Sequence, residues 1–434
     1  MLFLPLTFSK CPATRLQPTE IDDLPTGTQP ASSYATEYDA PGQVNPGVLI
    51  PNTLLPLPIT MDGKPLATSA TLDANWRYIH DKSGTSCFKD AWDPTLCPDS
   101  KTCSQNCLVD GAGTIADHET KYGITATGNA LKLKYITGTN VGSRMYLLDP
   151  SGAKYVGFNV VNKQISFTVD VSTLGCGLNG ALYFSEMPLE GFLPAGAPYG
   201  TGYGDAQCPT DVNFVNGYAN ADKTGACANE YDVWEANSIC NAFTSHTCSV
   251  NKPSAPCTGD ACKDICDASG ADYNSYRVGN KTLYGKGNQV DTSKPFEVIT
   301  QFITSDGTDK GDLQKIQRFY VQDGKTIDGG FQTDAIAEAN IKEFAEPNPH
   351  FVKNGGLKGM GEVFKRGQMV LVMSIWDDVK AQMKWLDSTY GTGPGAVRGP
   401  CPTNSGDINT LRAESADSYV TYSDIKMGPI TATY

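Results

Sequence analysis

The chain has 434 residues, with 34 Lys and Arg against 47 Asp and Glu, a net charge of −13 and a pI near 4.8. That balance argues against nucleic acid or an anionic membrane as partner and leaves a neutral partner open. No run approaches eighteen apolar residues, so no membrane-spanning helix is expected, and the length suffices for a large core in one domain.

Residues 1–50 are rich in Pro, Thr, Ser and Ala without sustained periodicity and are expected to form an extension, with the folded domain over 51–434. The first ten, MLFLPLTFSK, have a short apolar core but no basic start and no small-x-small cleavage site. They fit a degraded signal, a mis-started reading frame or an apolar tail. Strand signals recur from about residue 70. In NALKLKY (129–135) Leu131, Leu133 and Tyr135 alternate with lysines, and in ISFTVDV (165–171) Ile165, Phe167, Val169 and Val171 alternate with polar residues. FEVITQFIT (296–304), RFYVQDGKTI (318–327) with its Asp323-Gly324 turn, MVLVMSIW (369–376) and SYVTYSDI (418–425) extend the pattern. Helical periodicity is limited to short pieces such as TDAIAEANIKEFA (333–345). Many strands, long Gly- and Pro-rich loops and few helices predict a large antiparallel sandwich. No internal repeat and no Ser/Thr/Pro-rich linker to a second module is evident.

Fourteen cysteines and 27 prolines point to a disulfide-bearing chain from an oxidising compartment. A metal site is the weaker reading. The four histidines (His80, His118, His246, His350) form no HExxH, there is no pair of CxxC motifs, and Cys97, Cys103 and Cys107 have no fourth ligand nearby.

The stretch NEYDVWEAN (229–237) carries Glu230, Asp232 and Glu235 at i, i+2 and i+5. On a helix these three diverge. On a strand Glu230 and Asp232 share a face, and one extra bulged residue before Glu235 brings it to that face too. Aromatic and β-branched fillers favour the strand. Alone, the stretch reads equally well as a solvated edge strand. Two carboxyls about 5–5.5 Å apart are what retaining glycoside hydrolysis requires, and an aspartate between them can push their pKa values apart.

The segments GLNGALYF (177–184), YGTGYGDAQCP (199–209), NEYDVWEANS (229–238), MVLVMSIWDD (369–378), MKWLDSTY (383–390) and PGAVRGPC (394–401) follow one another in an order that resembles glycoside hydrolase family 7, the cellulases that include cellobiohydrolases and endoglucanases. The likeness runs from LDANWRYIH (72–80) to YSDIKMGPI (422–430). It implies a curved β-jelly-roll sandwich with long loops over a concave groove. It also implies Glu230 as nucleophile, Glu235 as acid/base and Asp232 as supporting acid, with no metal or cofactor. Trp76, Trp376 and Trp385 match tryptophans that stack on glucose rings, and Tyr78 stands where many cellobiohydrolases have a further tryptophan. Arg144, Asn179, Tyr183, Tyr203, Asp205, Gln207, His246, Arg277 and Arg398 match polar groove residues. Each of these, like each Trp, could instead serve the framework. Ala206 departs from the family, where a serine often supports the nucleophile.

The resemblance further implies disulfides Cys87–Cys107, Cys97–Cys103, Cys176–Cys401, Cys208–Cys227, Cys248–Cys266 and Cys257–Cys262. Family bridges are missing in pairs: Gly204 and Ala228 replace two partnered cysteines, and Ala271 replaces another whose partner near 340–350 is absent. Cys11 and Cys240 are left over. The expected protein is a secreted, monomeric hydrolase of cellulose or another β-glucan chain. Short segments at 209–229 and 267–276 favour endo action, while Arg398 and PGAVRG look more like a cellobiohydrolase. A laminarinase- or carrageenase-like enzyme shares the acid pattern, although the tryptophans and WDD oppose it. A glucan-binding lectin is the alternative of a different class, opposed by the intact Glu230 and Glu235.

Overall fold

The computed structural model describes residues 50–192, 195–344 and 350–430. Residues 1–49 of the expected extension, and Cys11 with them, lie outside the described residues.

Two large sheets stack face to face. One has eight strands in the order Leu55–Pro56, Ser69–Leu72, Ser143–Leu148, Met369–Asp377, Leu178–Glu186, Glu230–Ala236, Asn241–His246, Ala271–Asn274. The other runs Lys325–Gln332, Leu313–Gln322, Phe296–Thr304, Lys163–Asp170, Tyr419–Pro429, Ile59–Met61, Lys64–Leu66, with Ala130–Lys134 and Ile124–Thr127 branching from Tyr419–Pro429. Pairing within both is antiparallel except between Ile59–Met61 and Tyr419–Pro429.

The alternation of the outer sheet sets its inner face: Leu131, Leu133, Ile165, Phe167 and Val169 all enter the shared core, where Phe167 meets Trp234 of the first sheet edge-on. The Asp323-Gly324 turn is a two-residue hairpin with both φ values positive, 53° and 72°, the backbone that matches strand twist. Met369–Asp377 does not alternate, and the reason is burial on both faces. Leu371, Met373 and Ile375 enter the main core, while Val370 and Val372 join a second cluster with Tyr146, Ala181 and Tyr183.

The helix expected over 333–345 spans Asp334–Glu343, with the Thr333 side chain capping Ile336 N. A further helix, Gly356–Lys365, escaped the periodicity reading because Gly356, Gly359 and Gly361 weaken its helical signal. It packs through Leu357, Met360, Val363 and Phe364.

Among the described residues six disulfides link Cys87–Cys107, Cys97–Cys103, Cys176–Cys401, Cys208–Cys227, Cys248–Cys266 and Cys257–Cys262, the same pairs the resemblance implies. The sulfurs of Cys97, Cys103 and Cys107, which have zinc-like spacing, are therefore each bonded to another sulfur. Cys240 is a buried free thiol.

Candidate active site

The strand Glu230–Ala236 is irregular where the sequence requires it. Against Leu178–Glu186, Tyr231 pairs with Phe184 and Trp234 with Leu182, three residues against two. Against Asn241–His246, Asp232 pairs with Thr244 and Glu235 with Ala242, again three against two. This is a bulge of one residue. It sends Tyr231, Val233, Trp234 and Ala236 into the core and leaves Glu230, Asp232 and Glu235 on the opposite face, 6%, 4% and 8% exposed. The edge-strand alternative fails, because strands flank this one on both sides.

Each acid has its own support. Glu230 Oε2 accepts from the backbone N–H of Ala206 at 3.0 Å, so loss of a hydroxyl at position 206 leaves the amide donor in place. Asp232 Oδ2 lies 3.0 Å from His246 Nε2, and His246 Nδ1 lies 2.7 Å from the Asp267 carbonyl. Glu235 Oε1 accepts from Asn179 Nδ2 at 2.9 Å, while Asn179 Oδ1 accepts from Ala236 N at 3.0 Å. Asn179 is thus clamped between the side chain of Glu235 and the backbone that follows it.

Burial raises all three carboxyls. Glu230 is pushed well above the usual carboxylate range by burial and then by the charges of Asp232 and Asp205, against His246 and the Ala206 N–H. Glu235 is raised by burial and by Asp232, against His246 and Asn179. Asp232 is pushed up to about 8 by burial, against its hydrogen bond with Glu230. A cluster of this kind holds protons near neutrality, which lets one member act as an acid while another is an anion.

The strand register lays Arg144, Ser374, Ala181, Glu235 and Ala242 in one row across five strands. Ser374 and Ala181 are small and buried, and the row runs about 14 Å from Arg144 to Glu235 at the usual strand spacing. Arg144 pairs with Asp73 at 2.9 Å and stacks 3.5 Å over the Tyr203 ring and 5.7 Å from Trp76. Tyr203 OH shares a 2.8 Å hydrogen bond with Tyr183 OH and donates to Asp205 Oδ2 at 2.9 Å. Asp205 Oδ1 accepts from Gln207 N, and the exposed Gln207 donates to the Ala268 carbonyl at 3.1 Å.

The aromatic residues separate into two groups. Trp376 sits opposite Asn179 in register, with its ring 6.1 Å from that of Trp385, whose Nε1 donates to Asp378 at 2.9 Å. Both rings are half-buried beside Ala242 and Leu386. Trp76 is half-buried and donates to the Val141 carbonyl. Tyr78 is 38% exposed and stacks on His80. Arg277 and Arg398 converge on one carboxylate, Asp272, and Arg277 Nε also donates to the Gly395 carbonyl at 2.9 Å.

Asp73, Tyr146 and Asp272 were not singled out in the sequence. Asp73 accepts from both Arg144 and Tyr146, and Asp272 from both arginines. Neither Asp73, in the turn after Ser69–Leu72, nor Asp272, in the short edge strand Ala271–Asn274, carries a periodic signal, so only the arginines that seek carboxylates could have hinted at them.

Comparison with known proteins agrees with this geometry. The family model described as glycosyl hydrolase family 7 matches residues 60–434. A family 7 cellobiohydrolase from Daphnia pulex is 40% identical, with TM-score 0.85, covering 89% of this chain and 99% of its own. The cellobiohydrolase of Melanocarpus albomyces, complexed with cellotetraose, is 36% identical with TM-score 0.81 over 89% and 99%. The endocellulase EGI of Humicola insolens is 33% identical with TM-score 0.78 over 91% and 100%. A jelly-roll of two stacked sheets, three acids gathered by a bulge, and matches of this extent lead to one conclusion: the chain belongs to glycosyl hydrolase family 7 and is a glycoside hydrolase of the cellulase type.

Proposed function

We propose that the protein hydrolyses β-1,4-glucosidic bonds in cellulose or a related β-glucan with retention, through Glu230 as nucleophile and Glu235 as acid/base. The observation that carries this reading is the bulge, which turns Glu230 and Glu235 to one face and gives them different partners. Asp232, raised to about 8 by burial and hydrogen-bonded to Glu230, adds a third carboxyl to a cluster whose shared protons let one glutamate be charged while the other keeps a proton. Glu235, raised by burial, keeps a proton for the departing sugar oxygen. Glu230 then attacks the anomeric carbon, and Glu235 returns as base to activate water. Half-buried Trp76, Trp376 and Trp385 suit the apolar faces of sugar rings, and the Melanocarpus relative holding cellotetraose supports a glucan chain as ligand. Six disulfides fit an extracellular setting, and no described helix is long and apolar enough to cross a membrane.

The role assignment is tested by two variants. Glu230→Gln should lose several orders of magnitude on every substrate while melting like the wild type. Glu235→Gln should lose most on cellotetraose and least on an aryl cellobioside with a good leaving group. Equal damage on both substrates would exclude Glu235 as the acid.

Endo action is the favoured mode. The short segment between Cys208 and Glu230 forms a small hairpin, Phe214–Val215 with Tyr218–Ala219, tied to the helix Ser100–Asn106 by Ser104 Oγ and Ala219 N at 2.7 Å. A steep early loss of carboxymethyl cellulose viscosity per reducing end supports this mode. Slow viscosity loss with cellobiose dominant from the start contradicts it.

A further inference from the structure

Val233 is the one residue of the acid-bearing strand left out of register on both sides. A bulge residue loses its ladder partners, and its buried carbonyl needs another donor. That donor comes from the opposite sheet: Arg318 Nη2 donates to the Val233 carbonyl, while Arg318 Nε donates to Thr300 Oγ1 at 3.0 Å. Arg318 is fully buried. Its guanidinium lies 4.7 Å from the Phe243 ring and 5.8 Å from those of Trp234 and Tyr320. The outer sheet makes room for it. Lys325–Gln332 carries its own extra residue, Gly329, opposite Arg318, and a Cβ at Gly329 would fall 2.4 Å from Arg318 Cγ.

A buried guanidinium held by ring faces, a hydroxyl and a carbonyl is a costly way to fill a core that leucine or methionine could fill. What it supplies is a rigid fork joining Thr300 of one sheet to the bulge of the other. We propose that Arg318 is a positioning residue for catalysis: by holding the Val233 carbonyl it fixes the bulge, and with it the placement of Glu235 relative to Glu230. The inference rests on the reading of Glu235 as acid/base. An acid misplaced by a fraction of an ångström transfers its proton poorly, yet the sugar contacts that set binding remain. The loss should therefore fall on kcat, and mainly where the leaving group needs a proton.

The test is steady-state kinetics of the full chain carrying Arg318→Met or Arg318→Lys, beside Glu235→Gln, on cellotetraose and on 2,4-dinitrophenyl β-cellobioside. Arg318→Met should lower kcat on cellotetraose about ten- to hundredfold with KM within about twofold, and on the aryl substrate should lower kcat/KM, which reports formation of the glycosyl-enzyme before the base step, less than about threefold. Arg318→Lys keeps a charge and a donor and should recover part of the loss. A folded Arg318→Met enzyme with the wild-type ratio between substrates overturns the proposal. Failure of both arginine variants to fold also overturns it, assigning Arg318 to folding alone. If Glu235→Gln lacks the leaving-group signature, the acid/base reading itself fails. If Glu235→Gln shows the signature and the arginine variants do not, only the role of Arg318 falls.

Discussion

Nδ1 of His246 faces a carbonyl, which can only accept, so that nitrogen carries a proton, and Nε2 lies 3.0 Å from Asp232. The positive character of His246 lowers both Glu230 and Glu235 against the burial that raises them. His246→Ala should therefore move both limbs of the pH profile of kcat/KM upward, and a downward move of either would contradict the placement. In the wild type the acidic limb should already lie above the ordinary carboxylate value of about 4. A second buried acid makes a separate prediction. Asp387 Oδ2 accepts from Gly177 N and Asn237 Nδ2, and burial raises it to about 6. A raised carboxyl stabilises the fold fully below its unfolded pKa near 4, and that contribution is lost as pH rises through 6. Melting curves should show the wild type losing about 3 kcal/mol relative to Asp387→Asn between pH 4 and 7. At this scale the three acids were legible because a bulged strand would bring them to one face and the segments around them resemble the family, while the spacing alone read equally well as a solvated edge strand. Asp73, Asp272 and Asp387 were not, since each is defined by partners far away in the chain.

Regular strands announced themselves through alternation, as in Ile165 to Val171, because one face of each is buried and the other meets polar surroundings. Met369–Asp377 was legible as a strand, but which of its residues faced which core was not, since a run buried on both sides has no alternating signal. The helix Gly356–Lys365 was missed for the opposite reason: its glycines answer to packing rather than to helix propensity. A Cβ at Gly361 would lie 2.8 Å from Leu313 Cβ, so the helix approaches the outer sheet more closely than alanine permits. Gly361→Ala should improve the local propensity and still destabilise the protein, by about 1–3 kcal/mol in chemical denaturation. A stabilised variant would show that the helix can move outward freely.

Strand content and turn chemistry predict a sandwich; they do not predict which strand lies beside which, because pairing between segments two hundred residues apart leaves no local trace. The order is seen only in the structure. Cys176–Cys401 closes a separation of 225 residues and fastens the start of Leu178–Glu186 to the loop beyond Trp385. The double variant Cys176→Ser, Cys401→Ser should lose about 3–5 kcal/mol in denaturant melts, since the unfolded chain regains that freedom. The strand order has another outcome, in time rather than energy. Met369–Asp377 lies between Ser143–Leu148 and Leu178–Glu186, and Tyr419–Pro429 lies between Lys163–Asp170 and Ile59–Met61. Both sheets thus wait for a middle strand made long after its neighbours. At about 5–20 residues per second the ribosome takes on the order of 10–40 seconds to travel from the earlier neighbours to the first of these strands. Throughout that interval the nascent chain presents unpaired edges, and the cell that makes it must keep them apart from one another until the two late strands emerge.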